Sequence, residues 1–508
     1  MAFSPPASVL ILGSGVFGLS TAEALTRRPA FANTAITVVD RGSGRGDGDD
    51  NDFPARDAAS IDSSRIIRAD YADPAYAALA DEAQAFWRGT VRPADRRSDD
   101  NNKDDAEDYI GGAGRYTESG LVVVADASDA VGTDAADGKK IKNGMYYVRK
   151  SWANVQALAA KDPSLGGKLE ELPDAEAIRA VIGTGGTTGD WGYLNGASGW
   201  ADAAASMAWM LRRVQATGRV QFVRAKAVSL DTDTDTDTGD ARVVGVRLDD
   251  GRTLTADLVI AATGAWTESL VSGGLAGSDG SSNSSSSSNS NSLAGTLAAT
   301  GQVLGYVSLA SDEEHAKVAG MPVVLNLTSG LFVIPPAKDS RELKVARHAY
   351  GYINPDAQAG TSTPLTHLDD PQLAIPAEGA ADIRRGLRQM VPVPGLMDRP
   401  FAKTRICWYT DTPTGDFLVD YHPGVQGLFV ATGGSGHAFK FLPVIGDRVV
   451  DCVEGQRPAA FAEKWAWRTA AAAGDAAPGW ATVVTEDGSR GDRPGRLLRE
   501  ELAKKEAA

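Results

Sequence analysis

Short apolar runs, helical stretches and glycine-rich polar breaks alternate along the chain. Val9–Leu12 is an unbroken apolar run, the pattern of a strand buried on both faces. It stops at Gly13-Ser14-Gly15-Val16-Phe17-Gly18, and an Ala- and Leu-rich helical stretch follows. A second apolar run, Ile36–Val39, closes on Asp40 and Arg41. Strand, glycine turn, helix, strand and terminal acid is the pattern of a dinucleotide-binding unit. Gly13 permits the tight turn, Gly15 lets the backbone approach a pyrophosphate, and Gly18 lets helix and strand pack closely. The helix start at Val16 and Phe17 offers unpaired N–H groups to phosphate. Asp40 is spaced to bond ribose hydroxyls. An acid there favours an unphosphorylated ribose, FAD or NAD, and the motif leaves those two open.

The pattern continues downstream. Tyr76–Trp87 places Leu79, Ala83 and Phe86 on one helical face. Tyr116–Ala125 contains a strand, and Ser151 opens a short helix. Asn195–Gly218 holds a longer helix and Val220–Leu230 a strand. Arg242–Leu248 and Arg252–Leu254 flank Asp249-Asp250-Gly251, a hairpin signal. Asp257–Thr263 is a buried strand ending in Gly264-Ala265-Trp266. Gly301–Leu309, Leu331–Pro335 and Leu343–Tyr352 read as strands, and Ala381–Met390 as a helix. Lys403–Tyr409, Phe417–Asp420 and Leu428–Thr432 are strand-like. A second glycine turn, Gly433-Gly434-Ser435-Gly436-His437, precedes a helix expected over Phe439–Val453. Beyond Arg457 the chain is Ala-rich, then charged, and reads as a loose tail.

Composition narrows the class. The 508 residues allow two or three domains, and a mean hydropathy of -0.21 fits a soluble protein. No apolar run approaches the roughly 20 residues of a membrane span. No signal or peroxisomal address is legible, and two cysteines make no disulfide framework, so a cytoplasmic location is expected. Of the net charge of -15, residues 42–57, 91–109 and 231–240 carry -3, -3 and -5. The acidity therefore sits in apparent insertions and signals no cationic partner. There is no basic stripe for nucleic acid. Five scattered histidines and two distant cysteines argue against a metal site.

The segments GSGVFGLSTA, SSRIIR, LKVARH, RICWYTDTPTGDFLVDYHP and GGSGHAFKF, in this order, resemble the FAD-dependent monomeric sarcosine oxidase group. That group includes pipecolate, saccharopine and fructosyl amino acid oxidases. The resemblance spans about Val9 to Gly455 and selects FAD over NAD. It implies an α/β fold: a Rossmann-like FAD-binding domain and a second, mixed α+β substrate domain with an antiparallel sheet. The FAD domain is expected from residues 1–90, 195–275 and 403–456. The substrate domain is expected from 91–194 and 293–402, with a Ser-rich loop at 276–292 and a tail at 457–508. The implied activity is oxidation of a secondary amino acid at its C–N bond by a monomer, with O2 reduced to H2O2.

Residue roles follow from the same resemblance. Ser64, Val228, Thr263, Gly264, Trp266, Gly434, Gly436 and His437 join the first glycine turn, Asp40 and Arg41 in holding FAD. Cys407, which by itself reads as a buried strand cysteine, is implied to carry the flavin through a thioether. Arg68 and Lys440 are implied to hold the substrate carboxylate, a guanidinium and an ammonium converging on one anion. Arg65 faces the flavin, Tyr409 lines the pocket and Lys440 also lies beside the cofactor. Lys344 is implied to activate oxygen and His348 to serve the substrate site. Fructosyl amino acid oxidases carry lysine where Arg65 stands, which favours N-methyl or cyclic amino acids as substrate.

Overall fold

The computed structural model describes residues 3–43, 52–91, 109–127, 142–234, 241–274, 293, 295–337, 340–356, 361–468 and 484–504. Of the insertions expected at 42–57, 91–109 and 231–240, residues 44–51, 92–108 and 235–240 lie outside the described residues, as does the Ser-rich loop at 276–292; Asp52 and Asp57 of the first are buried and not solvated.

The first glycine-turn unit folds as its pattern predicts. Strand Ser8–Leu12 lies between Leu258–Ala261 and Ala35–Asp40, parallel to both. Leu428–Thr432 and Val220–Arg224 extend this sheet in parallel, and Leu418–Tyr421 closes one edge antiparallel. Helices Val16–Arg27 and Ile445–Val453 lie so close that a Cβ on Gly446 would fall 1.9 Å from the Ser20 carbonyl oxygen. Gly18 is equally confined: its Cβ would lie 1.8 Å from the Gly13 oxygen. Ile11, Leu19, Val38, Ile260 and Phe429 are fully buried between these layers. Each such side chain contributes roughly 1.5–3 kcal/mol.

A ten-stranded sheet forms the second layer system. Its centre is Ala298–Ser308, Glu342–Arg347, Leu331–Ile334 and Val323–Asn326, antiparallel neighbours in that order. Leu121–Ala125 continues it in parallel, followed by antiparallel Trp191–Asn195 and Leu169–Leu172. Helix Ala377–Met390 covers one face with Ile383, Leu387 and Met390. The opposite face looks toward the glycine turns. A three-stranded sheet, with Arg65–Ile67 and Tyr116–Thr117 flanking Gly199–Ala201, joins the two systems.

Several expectations change. Lys403–Asp411, grouped by sequence order with the FAD domain, pairs along its length with Ala298–Ser308 of the large sheet. Val220–Leu230 is two strands: Val220–Arg224 completes the nucleotide sheet, while Ala227–Thr234 joins a separate four-stranded sheet. Ser151 does not open a helix; it is buried inside Gly144–Ala159, which Asn143 caps. The helix expected from Phe439 is a short 3-10 turn, Phe439–Phe441, and the α-helix begins at Ile445. The stretch after Arg457 is no loose tail among its described residues. Trp465 is fully buried and stacks on Phe461. Strand Arg496–Leu497 pairs with Tyr352–Ile353, and Leu498 is fully buried. Periodicity missed this segment because it is anchored by single residues and not by a repeating face. No described helix is long and apolar enough to cross a membrane.

Candidate active site

One cavity of about 1130 Å³ runs from the first glycine turn to the large sheet. Sites for drug-sized ligands span about 300–1,000 Å³, so this one has room for a dinucleotide and a further small molecule. At its nucleotide end the Ser14 N–H and hydroxyl both donate to Asp40 Oδ2, each at 2.8 Å. The Gly42 N–H donates to the other carboxylate oxygen at 2.9 Å. The turn and the acid are thus locked together. Gly13 has φ +97°, and a Cβ there would lie 2.5 Å from the Ala262 oxygen. A Cβ on Gly15 would meet nothing nearer than Ser60 Oγ at 3.9 Å, so this glycine keeps the cavity floor low. Arg41 pairs with Asp57 and stacks over Trp266 at 4.5 Å. Val16, Phe17, Val228, Thr263 and Gly264 complete this end.

The large sheet closes the other end. Lys344 and His348 both line the cavity, although the strand ends at Arg347, between them. Arg347 points to the opposite face, where it is buried and paired with Glu378 and Asp382. Lys344 Nζ donates to Asp62 Oδ2 and to the Ser64 carbonyl, both at 2.7 Å. Asp62 also accepts from Arg65 and from the Tyr306 hydroxyl. The Lys344 and Asp62 side chains are 2% and 1% exposed. Burial pulls the Lys344 pKa down to about 7 against the opposing pull of Asp62. Burial alone would raise the Asp62 carboxyl, but Lys344, Arg65 and Arg405 outweigh it and hold it well below the usual range. Arg65 donates from Nη2 to Cys407 Sγ at 3.3 Å. Cys407 is 1% exposed and lines the cavity.

A third group comes from the second glycine turn and the segment after Arg68. His437 Nε2 is 2.8 Å from the Gly415 carbonyl and Nδ1 is 3.0 Å from the Tyr71 hydroxyl. The carbonyl can only accept, so Nε2 carries the proton and Tyr71 donates to Nδ1. Lys440 Nζ in turn donates to the Tyr71 oxygen at 2.9 Å and to the His437 carbonyl at 2.7 Å. In its protonated form one of its three N–H bonds is left for a ligand. Burial and, next, Arg68 pull the Lys440 pKa well down. Arg68 lies over the Tyr71 ring at 4.9 Å, and its Nη1, though buried, has no hydrogen-bond partner. Leaving a charged donor unpaired away from water is costly, so this nitrogen is set for an anion. Gly434, Gly436 and His437 line the same cavity. A Cβ on Gly436 would lie 2.3 Å from the Tyr409 ring. Ser435, between them, is held at φ 42°, with its N–H on the Thr410 carbonyl at 2.9 Å. That strained position aims the turn at Tyr409.

Tyr409 and His348 approach each other, hydroxyl to Nδ1, at 3.5 Å. Behind them stands Arg490, from the stretch read as a tail. Its Nη2 donates to Asp411 at 2.6 Å and to the Ser435 carbonyl at 2.9 Å, and its guanidinium lies 5.2 Å from the Tyr409 ring centre. Burial lowers the His348 pKa well below its ordinary value, and Arg490 then Arg68 add to this. His348 is therefore neutral. Asp62, Tyr71 and Arg490 escaped the sequence reading. Asp62 stands immediately before SSRIIR with no pattern of its own, and Arg490 lies 83 positions after Cys407. A buried polar neighbour at that separation leaves no local signal.

These residues fit FAD: a glycine floor for a pyrophosphate, an acid for ribose, and a thiol, lysine and guanidinium at the far end. The helix expected over Phe439–Val453 offers no N-terminus to this cavity at His437, because the α-helix starts only at Ile445. Among the described residues, no group of three or more His, Cys, Asp or Glu is placed to hold a metal ion.

Comparison with known proteins agrees with this geometry. Residues 8–452 match the family model of the FAD dependent oxidoreductases, DAO. Amino acid oxidase imqH of Aspergillus flavus is 31% identical over 88% of this chain and 93% of its own. L-saccharopine oxidase of Schizosaccharomyces pombe is 26% identical over 91% of this chain and 93% of its own. Among solved structures, the fructosamine oxidase Amadoriase II of Aspergillus fumigatus, in complex with FSA, superposes with a TM-score of 0.71 at 25% identity, covering 99% of this chain and 98% of that one. The chain belongs to the DAO family of FAD dependent oxidoreductases and is similar to its amino acid, sarcosine and saccharopine oxidases.

Proposed function

We propose that the protein is an amine oxidase that removes two electrons from the C–N bond of a secondary amino acid and passes them to oxygen. The overall change is secondary amine, O2 and water to carbonyl, primary amine and H2O2. The bound FAD supplies the two-electron acceptor that stands between substrate and oxygen. The observation that carries this reading is the unpartnered, buried Arg68 Nη1 on the same cavity as Lys344 and Cys407.

Arg68 and the spare N–H of Lys440 take the substrate carboxylate. Tyr71 and His437 hold Lys440 in place for it. His348, kept neutral by burial and by Arg490, is too weak a base to hold the proton of an ammonium; it accepts a hydrogen bond from the N–H of a substrate that reacts as the neutral amine. Tyr409 walls the site beside it. Lys344, braced by Asp62, is the fixed cation toward which negative charge develops when oxygen takes electrons. Cys407 carries the flavin covalently, with Arg65 against its sulfur. A sugar-bearing amino acid is the alternative substrate, suggested by the likeness to Amadoriase II. Arg65 in place of the lysine of that group weighs against it.

The test is anaerobic mixing of the holoenzyme with sarcosine, N-methyl amino acids, L-pipecolate, saccharopine and fructosyl amino acids, followed by exposure to O2. Bleaching of the flavin by a secondary amino acid and its return with H2O2 release is the expected result. A reduced enzyme that ignores oxygen would overturn the oxidase assignment.

A further inference from the structure

The cavity face of the large sheet has a pattern that the reaction itself does not require. Leu304, Ala346, Phe332 and Leu325 are successive cross-strand partners on four adjacent strands. Two positions further along, Tyr306, Lys344 and Ile334 form the next row. Side chains alternate between faces with period two, so both rows face the same way. Leu304, Leu325, Phe332, Ile334 and Lys344 all line the cavity. Tyr306 is turned to Asp62. The floor is therefore apolar around a single cation. Phe332 and Ile334 stand one strand beyond Lys344, and Leu325 two strands beyond. Strands are about 4.8 Å apart, so this apolar stretch extends roughly 10 Å past the lysine, more than enough for an aromatic ring and its linking carbon.

Cys407 lies on the other side. Its strand pairs with the opposite edge of Ala298–Ser308 from the one that holds Lys344. The strand of Cys407 is thus two strands from that of Lys344, and Phe332, Ile334 and Leu325 lie on the far side of the lysine. Of the other cations on the lining, Arg65 is committed to Asp62 and Arg41 to Asp57, while Lys226 stands beside Ala225 and Val228, on the strand side of the nucleotide end and away from this floor. Arg68 and Lys440 suffice for one carboxylate. A second carboxylate, or a polyol, laid along Leu325, Phe332 and Ile334 would lose its water without gaining partners. A substrate with no side chain would leave the same floor unfilled.

We propose that the substrate is an N-alkyl α-amino acid with a bulky apolar or aromatic side chain, which lies on Phe332, Ile334 and Leu325. This rests on the secondary-amine reading above. The experiment compares kcat/KM of the holoenzyme for sarcosine, N-methyl-L-alanine, N-methyl-L-phenylalanine, saccharopine and fructosyl-glycine in a peroxide assay. N-methyl-L-phenylalanine is expected to exceed sarcosine by at least 100-fold, since one methylene in an apolar pocket is worth about 10–200-fold. In Phe332→Ala that ratio falls at least tenfold, and in Phe332→Leu it falls less. A ratio within one preparation is insensitive to the fraction of folded enzyme. Preference for sarcosine, saccharopine or fructosyl-glycine overturns this inference and leaves an amine oxidase. A protein whose flavin none of the panel reduces under anaerobic conditions overturns both.

Discussion

Asp62→Asn isolates the charge on Lys344. The carboxylate lies 2.7 Å from Lys344 Nζ, both side chains are almost fully buried, and Arg65 shares the same acid. At an effective dielectric of about 20, two unit charges at this distance attract by roughly 6 kcal/mol, or about four pKa units. Lys344 starts from about 7 with Asp62 in place. Recovery of even a third of the loss through Ser64 and local water would still leave a lysine that is neutral at pH 6, where the wild-type residue is mostly charged. The cation facing oxygen would be gone. Loss of one preorganised electrostatic partner slows a reaction by about 10²–10³-fold. The assay is stopped flow: reduce the enzyme anaerobically, mix with oxygen, and follow flavin reoxidation separately from its reduction by substrate. Reoxidation should fall by about two orders of magnitude, and reduction by less than tenfold. In the wild-type protein reoxidation should decline as pH rises through the Lys344 pKa, because the protonated form lies on the low-pH side. In the variant that decline moves to lower pH. Reoxidation within threefold of wild type at pH 6, or equal loss in both half-reactions, would refute the reasoning.

Four further outcomes follow from the geometry. Glu268 is 1% exposed, neither carboxylate oxygen has a partner, and burial pushes its pKa up to about 8. The folded state thus holds a proton that the unfolded state has released between pH 4.5 and 8, so stability falls across that window, by about 5 kcal/mol in full; Glu268→Gln should melt higher than wild type at pH 9, with the gap closing at pH 5. Gly15→Ala should fold normally and bind FAD more weakly, whereas Gly18→Ala should not accumulate as folded protein; unchanged FAD affinity in the first variant would contradict the cradle. Arg490→Met leaves Asp411 buried without its cation, at a cost of about 3–5 kcal/mol, and should lower the melting temperature and raise the pKa seen for His348 in the pH profile of flavin reduction. Because Lys440 has a depressed pKa and gains a carboxylate on binding, a carboxylate inhibitor should bind with net proton uptake; calorimetry in two buffers of different ionisation enthalpy would show no buffer dependence if Lys440 is not involved.

The parts of the site that were legible in the sequence are those built by local rules. A glycine whose Cβ would collide at 1.8 or 2.5 Å must recur at fixed spacing, so Gly13, Gly15, Gly18 and Asp40 could be placed from one stretch. Lys344, Cys407 and Lys440 were reached through resemblance and not through periodicity, and the structure sets all three on one cavity. The C-terminal stretch was misread for the converse reason. Arg490 and Leu498 act singly, and a single arginine among charged neighbours looks the same whether it is solvated or buried against Asp411.

By itself, then, the sequence determined a nucleotide unit of strand, glycine turn, helix, strand and terminal acid, because glycine sterics and strand–helix periodicity act over a few residues. Only the tertiary structure decided which charges meet. Asp62 reaches Lys344 across 282 positions, Tyr71 reaches Lys440 across 369, and the apolar floor exists only when Leu304, Phe332 and Leu325 fall into register. Pair energies of several kcal/mol in a dry interior depend on distances of a few ångströms, and such distances are set by sheet register and burial, which no local pattern encodes.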